Sequence, residues 1–131
     1  MAVVTGAARG LGRALAEELA VRECNLALVD VDSSELTKTA QELNRAGVRI
    51  THHCADVASP EAMGRIAAEV LAAHGAVHLL INNAAVSASA SFAETSADVF
   101  ERIIRVNFPG CRPWLPRFPA LAATPSRGAG S

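Results

Sequence analysis

Thr5-Gly6-Ala7-Ala8-Arg9-Gly10-Leu11-Gly12 is the stretch on which the fold turns. It follows the short apolar run Ala2-Val3-Val4. It precedes a segment in which Leu11, Leu15 and Leu19 recur every four residues, with Glu17, Glu18, Arg22 and Glu23 mostly off that stripe. This spacing predicts a buried strand, a glycine loop, and a helix with a leucine face. Gly6 lets the chain turn sharply off the strand. Gly10 and Gly12 have no side chain, so a pyrophosphate can approach the backbone and the helix can pack close to the sheet. The helix N-terminus would face the phosphates with free N–H groups and the positive end of its dipole. Glycines alone are a weak signal, and the order strand, loop, helix strengthens it.

Outward from this loop the pattern repeats. Leu26-Ala27-Leu28-Val29, ending at Asp30, predicts a second strand. Asp32 with Glu35 three residues on predicts an N-capped helix to about Ala46, closed by Gly47. Val48 to Cys54 predicts a third strand. Ser59-Pro60 predicts the cap of a third helix, running to about His74 and stopped by Gly75. Val77 to Ile81 predicts a fourth strand, and Thr95 with Asp98 opens a fourth helix through about Asn107. The sequence therefore reads β-α-β-α-β-α-β-α. Its apolar runs are continuous rather than alternating, which predicts a parallel sheet with helices on both faces, an α/β three-layer architecture.

Composition excludes several other classes. The chain has 131 residues, enough for one domain, and half of them are hydrophobic. A formal net charge of −1 leaves no electrostatic footprint for nucleic acid or an anionic membrane. No apolar run approaches the ~20 residues of a membrane span, and the N-terminus has no basic-then-apolar leader pattern. Three widely spaced cysteines (Cys24, Cys54, Cys111) argue against a disulfide framework, so a cytoplasmic location is expected. There is no tyrosine, and Lys38 is the single lysine.

A second cofactor feature is independent of the glycines. Asp30 lies eighteen residues after Gly12, close to the ~20-residue spacing of a carboxylate that bonds ribose hydroxyls. It would repel a 2′-phosphate, which favours NAD. Arg9 pulls toward NADP, because a guanidinium in the loop could pair with that phosphate.

With Asp56-Val57, Asn82-Asn83-Ala84-Ala85 and Val106-Asn107, these residues form an ordered motif set. The set resembles that of the short-chain dehydrogenase/reductases, over about residues 1–110. The resemblance implies a Rossmann-like, NAD(P)-dependent oxidoreductase that interconverts alcohols and ketones by hydride transfer, and homo-oligomers for the whole protein. It implies cofactor contacts at Thr5, Gly6, Arg9, Gly10, Leu11, Gly12 and Asp30. Asp56 would bond the adenine amino group, and Val57 would line the adenine pocket. Asn83, Ala84 and Ala85 would stand beside the cofactor. Asn107 would match an asparagine that organises a water in proton relay, although a purely structural amide is equally open. Ala85 stands where the family usually has Gly, and His78 where it often has Asp.

The family's chemistry uses a Ser, a Tyr and a Lys four residues after the Tyr. An unassisted phenol with a pKa near ~10 is a poor base at neutral pH, so the lysine charge matters. This sequence has no Tyr, and Lys38 falls on the wrong element. The expectation is a sheet truncated after the fourth strand and fourth helix, with Leu79-Leu80-Ile81 as an uncovered apolar edge. Residues 111–131 read as an irregular Pro-rich tail, consistent with a frameshift, a gene-model error or a fragment of a longer gene. The rival functions are a non-catalytic dinucleotide-binding or regulatory module and a non-functional gene fragment.

Other residues read as ordinary. His52 and Cys54 share one face of a strand while His53 points away, so no metal site is expected. Cys24 reads as filler at a helix–strand junction. Trp114 and Phe118 are equally open to being random exposed apolars or a partner patch.

Overall fold

The computed structural model describes residues 1–44, 47–88 and 95–108. Its elements are β1 (Ala2–Thr5), α1 (Gly10–Val21), β2 (Leu26–Asp30), α2 (Ser33–Leu43), β3 (Ile50–Cys54), α3 (Pro60–His74), β4 (Leu79–Ile81) and α4 (Ala97–Asn107). The strands form one parallel sheet in the order β3-β2-β1-β4. The chain winds outward from β1 to β3 and then crosses back to the other side of β1. That reversal opens a crevice between the C-terminal ends of β1 and β4, the usual ligand position in such sheets.

Alternating side chains on the central strands feed two cores. Ala2, Val4, Leu26 and Leu28 pack with Ala16 and Ala20 of α1 and Leu36, Ala40 and Leu43 of α2. Val3, Ala27 and Val29 pack with Met63, Ile66, Ala67 and Val70 of α3 and Val106 of α4. The expected three-layer Rossmann-like arrangement is therefore present.

Three local expectations need correction. The first helix buries its leucine stripe only in part. Gly12, Ala16 and Ala20 are the buried positions, and Leu11 is 68% exposed. A Cβ on Gly12 would lie 2.1 Å from the Gly6 carbonyl oxygen, so no side chain fits at that end of α1, while Leu19 packs against the core only in part. Continuous burial holds for β1 and for Leu26–Val29, but not for β3, whose His52 and Cys54 are exposed at the sheet edge. The fourth helix is capped by Ser96, whose Oγ accepts from Val99 N at 3.4 Å, rather than by Thr95.

Other boundaries shift slightly. β3 and β4 start at Ile50 and Leu79, two residues later than the apolar runs suggest. α2 stops at Leu43, three residues short of Ala46, and Gly47 takes its positive φ beyond the helix end. The caps at Asp32 and Ser59 and the stop at Gly75 stand as read. β4 pairs with β1 alone in the described sheet, and Leu79 is exposed there. The Pro-rich stretch lies outside the described residues.

Candidate functional site

The glycine loop is held from three sides. Asp30 Oδ2 accepts from Ala8 N at 3.0 Å, and Ala7 N donates to the Val29 carbonyl at 3.2 Å. The buried Thr39 hydroxyl donates to the Ala8 carbonyl at 3.2 Å. Gly6 and Gly10 both have φ near +60°, where a Cβ clashes with the backbone. A Cβ on Gly6 would also lie 2.8 Å from Asn83 Nδ2 and 2.9 Å from Ala84 Cα. At Gly10 a Cβ would meet nothing within 4 Å, so the space before that residue is open.

The crevice between β1 and β4 is closed at its base by Thr5 and Asn83. The Thr5 hydroxyl accepts from Asn83 N and Ala84 N, both at 3.0 Å, and donates to the Ile81 carbonyl at 3.3 Å. Asn83 Nδ2 returns to the carbonyls of Thr5 and Gly6 at 3.1 and 3.2 Å. Further along, Asn107 forms a two-point amide pair with Val86, accepting from its N–H and donating to its carbonyl, each at 3.0 Å.

Above this base lies a cavity of about 460 Å³ at the C-terminal ends of all four strands. Gly6 and Arg9 come from the first loop, Asp30, Val31 and Asp32 from the second, and Ala55, Asp56 and Val57 from the third. Asn83, Ala84, Ala85 and Val86 come from the fourth, with Arg102 and Val106 from α4.

The electrostatics of the four helix starts differ. α2, α3 and α4 are capped by Asp32, Ser59 and Ser96 and carry Glu35, Glu61 and Asp98 in their first turns. α1 has neither a side-chain cap nor a first-turn acid. Its N–H groups remain available to an anion arriving at the loop.

The model of the short chain dehydrogenase family matches residues 1–113. The chain belongs to the short-chain dehydrogenase/reductase family. A relative described as a putative oxidoreductase, SadH of Mycobacterium tuberculosis, is 39% identical over 110 residues, covering 84% of this chain and 40% of SadH. A short-chain dehydrogenase/reductase from Burkholderia phymatum, solved in complex with NAD, is 37% identical with a TM-score of 0.85. It matches 92% of this chain and 43% of its own. A metagenomic short-chain oxidoreductase solved with NADP is 31% identical, with a TM-score of 0.83, covering 92% of this chain and 55% of its own. The chain thus spans about half, or less, of the length of these family members.

Against that family background, the sequence-derived residues divide into two groups. Gly6, Arg9, Asp30, Asp56, Val57, Asn83, Ala84 and Ala85 line the cavity. Thr5 and Gly12 are buried behind its wall, Gly10 opens α1, and Leu11 stands exposed beside the loop. Asn107 lies at the end of α4, with both polar atoms of its amide engaged by Val86.

Asp30 still has capacity. Its two oxygens take one N–H each, from Ala8 and from Asp32 at 3.0 Å, leaving lone pairs for further donors. Asp56 Oδ1 likewise takes Ala58 N at 2.8 Å in an Asx turn that leads into α3.

Sequence reasoning missed Arg102 and gave Asp32 no role beyond capping. Arg102 is recognisable as a lining residue only once α4 is laid over the ends of the strands. His53 Nδ1 faces Glu69 at 2.9 Å, His52 and Cys54 point to solvent, and no metal-ligand cluster occurs among the described residues. Cys24 and Cys54 are free thiols. Among the described residues no helix is long and apolar enough to cross a membrane.

Proposed function

We propose that this chain binds the adenosine and pyrophosphate half of a nicotinamide dinucleotide, as the cofactor-binding part of an oxidoreductase that interconverts alcohols and ketones by hydride transfer. The carrying observation is the strand-end cavity onto which α1 opens with an uncapped, acid-free N-terminus. Solved family members bound to NAD and to NADP support the same reading.

The residues present fit such a group. Backbone N–H groups around Arg9, Gly10, Leu11 and Gly12 receive the pyrophosphate, and the open space before Gly10 admits it. The free lone pairs of Asp30 accept the adenosine ribose hydroxyls, which favours NAD. Asp56 accepts the adenine amino group and Val57 gives an apolar wall. Thr5 acts through Asn83, fixing the segment Asn83-Ala84-Ala85 beside the cofactor. Asn107 positions Val86, the residue that follows that segment. A bound dinucleotide would supply hydride transfer at its nicotinamide ring.

A second reading is favoured by one observation. These 131 residues contain no tyrosine, so no phenol in this chain can move the carbinol proton. Binding without turnover is then the activity of the chain as it stands.

Titration of NAD, NADH, NADP and NADPH into the chain tests both readings. Saturable binding at one site, weakened by Gly10→Ala, is expected. Absence of binding by all four dinucleotides would overturn the proposal. An alcohol-oxidation assay should be blank, and turnover would refute the second reading.

A further inference from the structure

Three charged side chains meet at the cavity rim where β2 runs into α2. Asp30 turns its oxygens to the N–H groups of Ala8 and Asp32. Asp32 caps α2 with Oδ1, accepting from Glu35 N at 3.1 Å. Its other oxygen pairs with the Arg9 guanidinium. Arg9 is therefore engaged by Asp32, the first carboxylate after β2, and all three residues line the cavity.

We infer that Asp32 is a specificity-determining residue, which withholds the Arg9 guanidinium from a ribose 2′-phosphate. The inference rests on the dinucleotide reading above and deepens it. The rim carries two carboxylates for one guanidinium, a local charge of −1 from these three groups. A 2′-phosphate entering here meets Asp30 and must also draw Arg9 away from Asp32. A 2′-hydroxyl does neither; it donates to a carboxylate. Arg9 would serve NADP in isolation, but beside Asp32 it neutralises a neighbour instead.

The pair is suited to selectivity rather than to stability. The Arg9 side chain is 70% exposed, and an ion pair in solvent adds little to folding. Asn and Ser are also good N-caps, so Asp32→Asn and Asp32→Ser each remove the charge while keeping an oxygen for Glu35 N.

The test compares NAD and NADP affinities of the full chain with those of Asp32→Asn, Asp32→Ser and Arg9→Gln/Asp32→Asn. Both single variants are expected to raise the NADP-to-NAD affinity ratio by roughly two- to fivefold, the scale of one exposed charge pair. The double variant should lose that gain. An unchanged ratio in the single variants, or a gain that survives in the double variant, overturns the role of Asp32 and leaves dinucleotide binding standing. A wild-type chain that binds neither dinucleotide overturns the parent reading and this one together.

Discussion

Asn83 donates two hydrogen bonds to Thr5 across 78 positions of sequence. Asn83 N donates to the Thr5 hydroxyl at 3.0 Å, and Asn83 Nδ2 donates to the Thr5 carbonyl at 3.1 Å. The same hydroxyl accepts from Ala84 N at 3.0 Å. Thr5→Val keeps the shape but leaves Ala84 N without its acceptor and the Ile81 carbonyl without its hydroxyl donor, while Asn83 N retains the Ile81 carbonyl at 3.1 Å. Unpaired buried donors cost about 1–3 kcal/mol each, and partial water access trims that figure. A loss of about 2 kcal/mol in urea unfolding is expected, together with weaker dinucleotide binding. Thr5→Ser retains the oxygen and should recover most of both.

Gly10 and Gly12 separate two glycine functions. Gly12→Ala would drive a methyl against the Gly6 carbonyl at 2.1 Å and Asn83 Nδ2 at 2.5 Å. It should cost about 3 kcal/mol and shift the thermal transition sharply downward. Gly10→Ala meets no protein atom, but it must hold φ at +57°. About 1–2 kcal/mol is expected for that backbone strain, with the fold retained by circular dichroism.

The C-terminus of α1 ends in a Schellman arrangement built on a glutamate. Glu23 N donates to the Ala20 carbonyl and Cys24 N to the Leu19 carbonyl, both at 3.0 Å. Glu23 sits at φ +58°, where glycine is usual. Its negative charge also faces the negative end of the helix dipole. Glu23→Gly should therefore stabilise the chain by about 1 kcal/mol, seen as a higher urea midpoint with unchanged slope.

His74 makes stability depend on pH. Its Nε2 contacts the Thr51 hydroxyl at 3.0 Å, while Nδ1 is buried with no hydrogen-bond partner among the described residues. Burial holds its pKa below the usual histidine value, and the charges of Arg49, His53 and the N-terminus push the same way. The neutral ring is thus favoured in the folded state. Above about pH 6.5 both folded and unfolded chains carry it neutral, and no pH effect arises. Below that, the unfolded chain takes the proton first, so stability falls with pH until the folded value is passed. His74→Gln should shrink the drop in melting temperature between about pH 8 and about pH 5.5. An identical drop in both proteins would show that other groups carry the effect.

Much of the chain was legible because its signals are local. The caps at Asp32 and Ser59 and the stop at Gly75 depend on atoms within four residues of one another. The α1 face was misread because leucine hydrophobicity pointed to one stripe while close approach at Gly12 demanded another. The Gly12-Ala16-Ala20 spacing carried that signal, one position along from the leucines. The two-residue trims at β3 and β4 reflect pairing, which requires a neighbouring strand and not apolarity alone.

Strand, loop and helix order, the parallel three-layer fold and the site motifs could be read from residue types and their periods, because these encode short-range backbone preference and burial. Tertiary structure decided three further points. It set the small-residue face of α1 against the sheet, the Thr5 hydroxyl as the knot between β1 and β4, and Asp32 as the partner of Arg9. Each depends on groups far apart in the chain, brought together by the crossing of β4 back beside β1 or by the packing of loops at the strand ends. Hydrogen bonds and charge pairs of that kind act over a few ångströms in space, and no spacing along the chain specifies them.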